Sequence, residues 1–124
     1  MCMVWRKYHF DGKDYLMADE LSEPMLLTTA QIRLLSDRRN GVGTDILVWN
    51  TEQLSVFGAD GKAMRPDASA REILRYYEEE KRCGVKKMQS WQGEKPSMSM
   101  EVRLTRSFYE KLQMAGEDCH SRAC

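Results

Sequence analysis

The sequence predicts a single α+β domain. Three observations predict it. The length of 124 residues suits one domain. Short runs of β-formers alternate with capped amphipathic segments in the order ββ-α-ββ-α-ββ, with a further short helix at the end. Asp-Gly and Asn-Gly pairs punctuate the boundaries between them.

Residues 3–10 (MVWRKYHF) and 13–19 (KDYLMAD) are strand-like, and Asp11-Gly12 between them predicts a hairpin, because both central residues of the tight turn need positive φ. Residues 20–25 (ELSEPM) read as a loop with Pro24. Thr28 caps the first helix, with Gln31 at capping-box spacing. Ile32 and Leu35 share its apolar face, Leu34 widens it, Arg38 and Arg39 suit the negative end of the dipole, and Asn40-Gly41 stops it. Residues 45–50 (DILVWN) read as a buried strand, 54–57 as its partner, and Asp60-Gly61 as a turn. Pro66 precedes the second helix, in which Ser69 and Glu72 have capping-box spacing and Ile73, Leu74 and Tyr77 form the apolar face. Gly84 ends it after Lys81 and Arg82. Residues 85–91 and 97–104 read as two more strands joined by QGEKP, and 106–114 as a short helix closed by Gly116. The domain then spans residues 1–116, and 117–124 form a disordered tail.

Composition removes several classes of function. Nineteen basic residues balance nineteen acidic ones, so the chain has no basic footprint for nucleic acid. No apolar run approaches the roughly 20 residues of a membrane helix, and residues 1–7 lack the apolar segment of a signal peptide, so a cytoplasmic location is expected. Cys2, Cys83, Cys119 and Cys124 are then reduced thiols. Cys119-His120 with Cys124 lacks the paired spacing of a structural zinc site, and no metal is expected there. No cofactor motif is present: Gly41-Val42-Gly43 is too short for a phosphate loop and follows a helix.

Three ordered segments carry a resemblance. Lys7-Tyr8-His9-Phe10-Asp11-Gly12-Lys13-Asp14-Tyr15, running on to Asp19, is similar to K-M-H-G-L-G-N-D-F with an aspartate four residues later. Lys7, His9, Gly12, Asp14 and Asp19 match. Asp37-Arg38-Arg39-Asn40-Gly41-Val42-Gly43-Thr44-Asp45 is similar to D-R-H-x-G-V-G-x-D. Gly58-Ala59-Asp60-Gly61 is close to N-A-D-G, and Arg71 with Arg75-Tyr76 follows as in C-G-N-G-A-R-C-x-A-R-Y. These are motifs of the diaminopimelate epimerases, and residues 4–84 resemble the N-terminal half of that family. The resemblance implies a mostly antiparallel sheet wrapped round a central helix. It also implies an active site in a cleft between two such domains, of which 124 residues supply one.

The departures fall in the pocket that the resemblance implies. The family's first catalytic cysteine heads the C-G-N-G turn; here that position is Pro66 when Arg71 and Arg75 are the anchors and one residue is deleted upstream, or Asp67 by an ungapped count from Asp60. The family's chemistry needs a base on each side of the α-carbon, which proline cannot supply, and a carboxylate is too weak a base without strong burial. The substrate-contacting asparagine of G-N-D-F is Lys13, and the asparagine of N-A-D-G is Gly58. The rest of the C-G-N-G turn becomes Asp67, Ala68 and Ser69, which puts a carboxylate where the family holds an anion.

The expected function is therefore that of a non-catalytic binding protein acting through a homodimer or a protein partner, with a small anionic ligand at Lys13. Nine methionines and three tryptophans are available as contact surface. The competing expectation is an enzyme with altered chemistry in a cleft between two subunits, drawing on His9, Lys13, Asp60 and Asp67.

Overall fold

The Asp11-Gly12 turn forms as predicted, with φ of 54° and 76°. It closes β1 (Met3–Phe10) onto β2 (Lys13–Glu20), with Phe10 opposite Lys13. The computed structural model describes residues 3–20, 27–50, 54–84, 88 and 91–121. The loop expected at 20–25 lies, beyond Glu20, outside the described residues, as does most of the strand expected at 85–91.

Helix α1 (Thr29–Ser36) carries the predicted capping box, in which Thr28 Oγ1 accepts from Gln31 N and Gln31 Oε1 from Thr28 N. It ends earlier than Asn40-Gly41. Asp37 closes it and its carboxylate accepts from the backbone N–H of Arg39 and Asn40, so both arginines lie beyond the helix. Gly41 serves a different purpose: a Cβ there would stand 1.9 Å from the Leu34 carbonyl oxygen.

Strands β3 (Ile46–Asn50), β4 (Leu54–Gly58) and the unpredicted two-residue β5 (Ala63–Met64) follow. Helix α2 (Ala68–Cys83) is capped by Asp67, not Ser69, which lies within the first turn; Asp67 Oδ1 accepts from Ala70 N at 2.8 Å. Gly84 ends α2 at φ 85°. After β6 (Met98–Val102), helix α3 (Arg106–Ser121) runs straight through Gly116 and carries the backbone across most of the expected tail. Gly116 is not a terminator but a point of close approach between helices. A Cβ on it would sit 2.6 Å from Gln31 Nε2, and Gln31 donates to the Leu112 carbonyl at 2.9 Å.

The strands form one sheet in the order β5-β4-β3-β2-β1-β6. The β2–β3 pair is parallel and the other pairs are antiparallel. A parallel pair needs a crossover connection, which α1 supplies. One face packs Tyr8, Met17, Ile46, Val48 and Val56 against Ala70, Ile73 and Tyr77 of α2. The other packs Trp5, Leu16, Leu47 and Trp49 against Ile32 and Leu35 of α1 and Leu112 of α3. The sheet is thus the middle of three layers, which is why β2 and β3 are apolar on both sides of the pleat. Among the described residues, no helix is long and apolar enough to cross a membrane.

Candidate functional site

Most of the candidate residues converge at one end of the sheet. The N–H of Asp14 donates to Asp45 Oδ2 at 2.9 Å and the N–H of Asp45 to the Asp14 carbonyl at 2.8 Å, which locks the start of β2 beside the start of β3. Ile46 pairs in turn with Gly58 at the end of β4. The first turn of α2 sits against the same end and brings Ser69 near the Tyr15 hydroxyl. Burial is the main reason the Tyr15 phenol is held above its ordinary range, with the charges of Asp67, Asp11 and Asp45 adding to it. Phe10, Ala68, Ser69, Glu72 and Arg75 line a shallow groove of about 360 Å³ beside this end.

Strand alternation places Lys13 on the α2 side of the sheet, with Tyr15 and Met17. Lys13 and Asp67 are both exposed, but the ion pair between them that the sequence allowed does not form; the Asp67 carboxylate turns back onto its own helix. Pro66, Gly58 and Ser69 are half-buried and Ala68 is exposed. Asp60 is a turn former: its Oδ1 accepts from Lys62 N at 3.0 Å and its carbonyl from Arg33 Nε at 2.8 Å. A Cβ at Gly58 would stand 3.1 Å from Asp60 Oδ1, so the glycine and the aspartate fit each other in one tight connection.

The structure separates His9 from this group. His9 alternates with Tyr8 and Phe10, which face α2, so its ring lies on the opposite side of the sheet. There its Nδ1 lies 2.8 Å from Asp14 Oδ1, while Arg38 bridges Asp14 Oδ2 at 3.2 Å and Asp45 Oδ1 at 3.1 Å. The hydrogen bond from His9, aided by Arg38 and Lys7, holds the Asp14 carboxyl below the usual carboxylate range. These residues, prominent in the motifs, therefore fasten the loop after α1 to the hairpin.

Two buried carboxylates are more deeply set than any candidate. Glu80, 5% exposed, accepts from the Tyr8 hydroxyl at 2.9 Å and from Ser99 Oγ at 2.9 Å, and pairs with Arg6 Nε at 2.9 Å. Asp19, 4% exposed, accepts from the Tyr77 hydroxyl at 2.6 Å, Asn50 Nδ2 at 3.1 Å and Lys81 Nζ at 3.2 Å. The signal for Glu80 was present in the sequence: it follows Ala70, Ile73 and Tyr77 at helical spacing and so falls on the buried stripe. Both groups bind α2 to the sheet and neither opens onto the Lys13–Asp67 end.

Among the described residues no group of three or more His, Cys, Asp or Glu is placed to hold a metal ion. Cys119 and His120 fall in the last turns of α3, and Cys124 lies outside the described residues.

No protein-family model matches the chain. Over 60 residues, 48% of its length, the chain is 40% identical to the diaminopimelate epimerase of Paraburkholderia xenovorans (strain LB400). It is also 40% identical over 60 residues to the diaminopimelate epimerase of Paraburkholderia phytofirmans (strain DSM 17436 / LMG 22146 / PsJN). The match spans about a fifth of those relatives, 21% and 20% of their lengths. The chain is thus related to diaminopimelate epimerases across about half of its own length.

Proposed function

We propose that this chain is a non-catalytic binding protein on an epimerase-like scaffold, acting through a homodimer or a protein partner. One observation carries the reading. At the helix N-terminus where the resemblance expects a thiol and an anion-holding turn, the chain has Pro66 followed by Asp67, and the Asp67 carboxylate itself accepts the N–H of Ala70. A helix N-terminus attracts an anion through its free amides and dipole. Here the protein's own carboxylate takes that place, and it repels a second one. Pro66 has no group that can move a proton.

Exposed Lys13, on the same side of the sheet, is a cation that can meet a small anionic ligand. The competing reading, altered chemistry in a cleft between subunits, needs a base near Lys13 and Asp67. His9 is the natural base, and it lies across the sheet with its Nδ1 committed to Asp14. Incubation with diaminopimelate in heavy water is expected to leave the α-carbon free of deuterium. Catalytic incorporation of deuterium would overturn the proposal.

A further inference from the structure

Among the described residues β6 is the last strand on its side of the sheet, and α3, which follows it, packs on the Trp5 face. Where they meet the loop after α1, an open groove of about 420 Å³ is lined by Lys7, Val42, Met100, Val102, Leu104 and Phe108. Strand register decides which side chains reach it. Trp5 lies opposite Val102 and Lys7 opposite Met100, so all four point to the α1/α3 side of the sheet. Lys13 and the first turn of α2 lie on the other side, so this groove is separate from the site described above.

Val42, Met100, Val102, Leu104 and Phe108 make the lining largely apolar, and Lys7 sets a half-buried ammonium among them. That ammonium is poorly matched. An ammonium carries three donors. Lys7 Nζ makes one long hydrogen bond, 3.4 Å to the Val42 carbonyl, and no described carboxylate forms an ion pair with it. The Asp14 carboxyl feels its charge, but Oδ1 of Asp14 is taken by His9 and Oδ2 by Arg38. Arg103, the other cation at the groove, already has Glu101 at 3.7 Å. A cation drawn partly out of water without a counter-ion is unfavourable, and an anion entering the groove supplies the missing partner.

We propose that this groove binds a medium-chain aliphatic carboxylate, with the carboxylate on the Lys7 ammonium and the tail along Met100, Leu104 and Phe108. The apolar lining selects a tail over a bare inorganic anion, and the single unpaired ammonium suits one negative charge. Met100, 47% exposed, is the flexible side chain that can fold over the tail. The site goes beyond the binding reading at Lys13 and stands whether or not the chain is catalytic, since it lies across the sheet from the residues on which that reading turns.

Calorimetric titration of the full chain with octanoate, octanol and acetate tests it, with the methyl resonances of Val42, Met100 and Leu104 followed by NMR. Octanoate is expected to bind saturably, about ten-fold or more tighter than octanol, which lacks the charge, and than acetate, which lacks the tail. Lys7→Met keeps the stem and removes the charge. It should weaken octanoate binding about ten-fold and leave octanol binding unchanged. Because that variant also loses the hydrogen bond to Val42, Met100→Glu at an exposed position serves as a second one. It sets a carboxylate opposite Lys7 and should abolish octanoate binding without lowering stability. The native-chain comparison of the three ligands depends on no variant folding. No saturable binding of octanoate, equally tight binding of octanol or acetate, or shifts confined to Lys13 and Ser69 would overturn the site.

Discussion

Asp67 decides both how α2 begins and what can approach it. Its backbone is extended, φ −99° and ψ −177°, and its side chain satisfies an amide that the first helical turn leaves free. Asp67→Ala is expected to lower stability by about 1 kcal/mol, the usual worth of an N-cap, with Asp67→Asn retaining most of it. Denaturant titration checks this as a lower midpoint at unchanged slope. The same hydrogen bond disfavours an anionic ligand at this helix end, so Asp67→Asn separates the two roles: it preserves the cap and removes the repulsion. Asp14 works on the opposite face, where His9 and Arg38 converge on its carboxyl and tie the loop after α1 to the hairpin.

At the scale of elements, α2 is held to the sheet by two polar anchors set in an apolar interface. Glu80 joins α2 to β1 through Arg6 and Tyr8, and to β6 through Ser99. Asp19 of β2 joins it through Tyr77 and Lys81. Removing one partner of a buried ion pair leaves the other charge uncompensated, at a cost of about 3–5 kcal/mol. Glu80→Ala is therefore expected to lose that much stability, measured by equilibrium unfolding, and to loosen β6 together with the C-terminal half of α2. The α1–α3 contact is made differently, by backbone proximity at Gly116 and the donation from Gln31 to the Leu112 carbonyl.

For the whole molecule, the three-layer arrangement buries both faces of the central strands and with them the tyrosine hydroxyls. Burial, reinforced by Glu80 for Tyr8 and by Asp19 for Tyr77, raises both phenols well above their ordinary range. A group whose pKa is raised on folding stabilises the fold fully below its unfolded value, and that contribution is lost as pH rises toward the folded value. The unfolded value for tyrosine is about 10. Stability is thus expected to fall above about pH 10, with Tyr8 and Tyr77 ionising only as the chain unfolds. Tyrosinate absorbance and circular dichroism followed together in an alkaline titration check it. A plain ionisation of all five tyrosines before any loss of structure would contradict it.

What the sequence by itself determined was local. The hairpin at Asp11-Gly12, the Thr28–Gln31 capping box and the Gly84 stop depend on residues a few positions apart, and short-range geometry makes them legible. Only the tertiary structure decided what depends on distant residues. Gly116 reads as a helix stop until α1 is found against it, and Arg38 reads as a helix-dipole residue until Asp14 and Asp45 are found on either side of it. Asp67, not Ser69, is the cap because it is the residue with extended backbone ahead of the first helical turn, which spacing alone does not reveal. The pleat, finally, put His9 on one face of the sheet and Lys13 on the other. Residues four apart in an extended strand would share a face, but the turn at Asp11-Gly12 reverses the chain between these two, so cross-strand register decides which side chains meet.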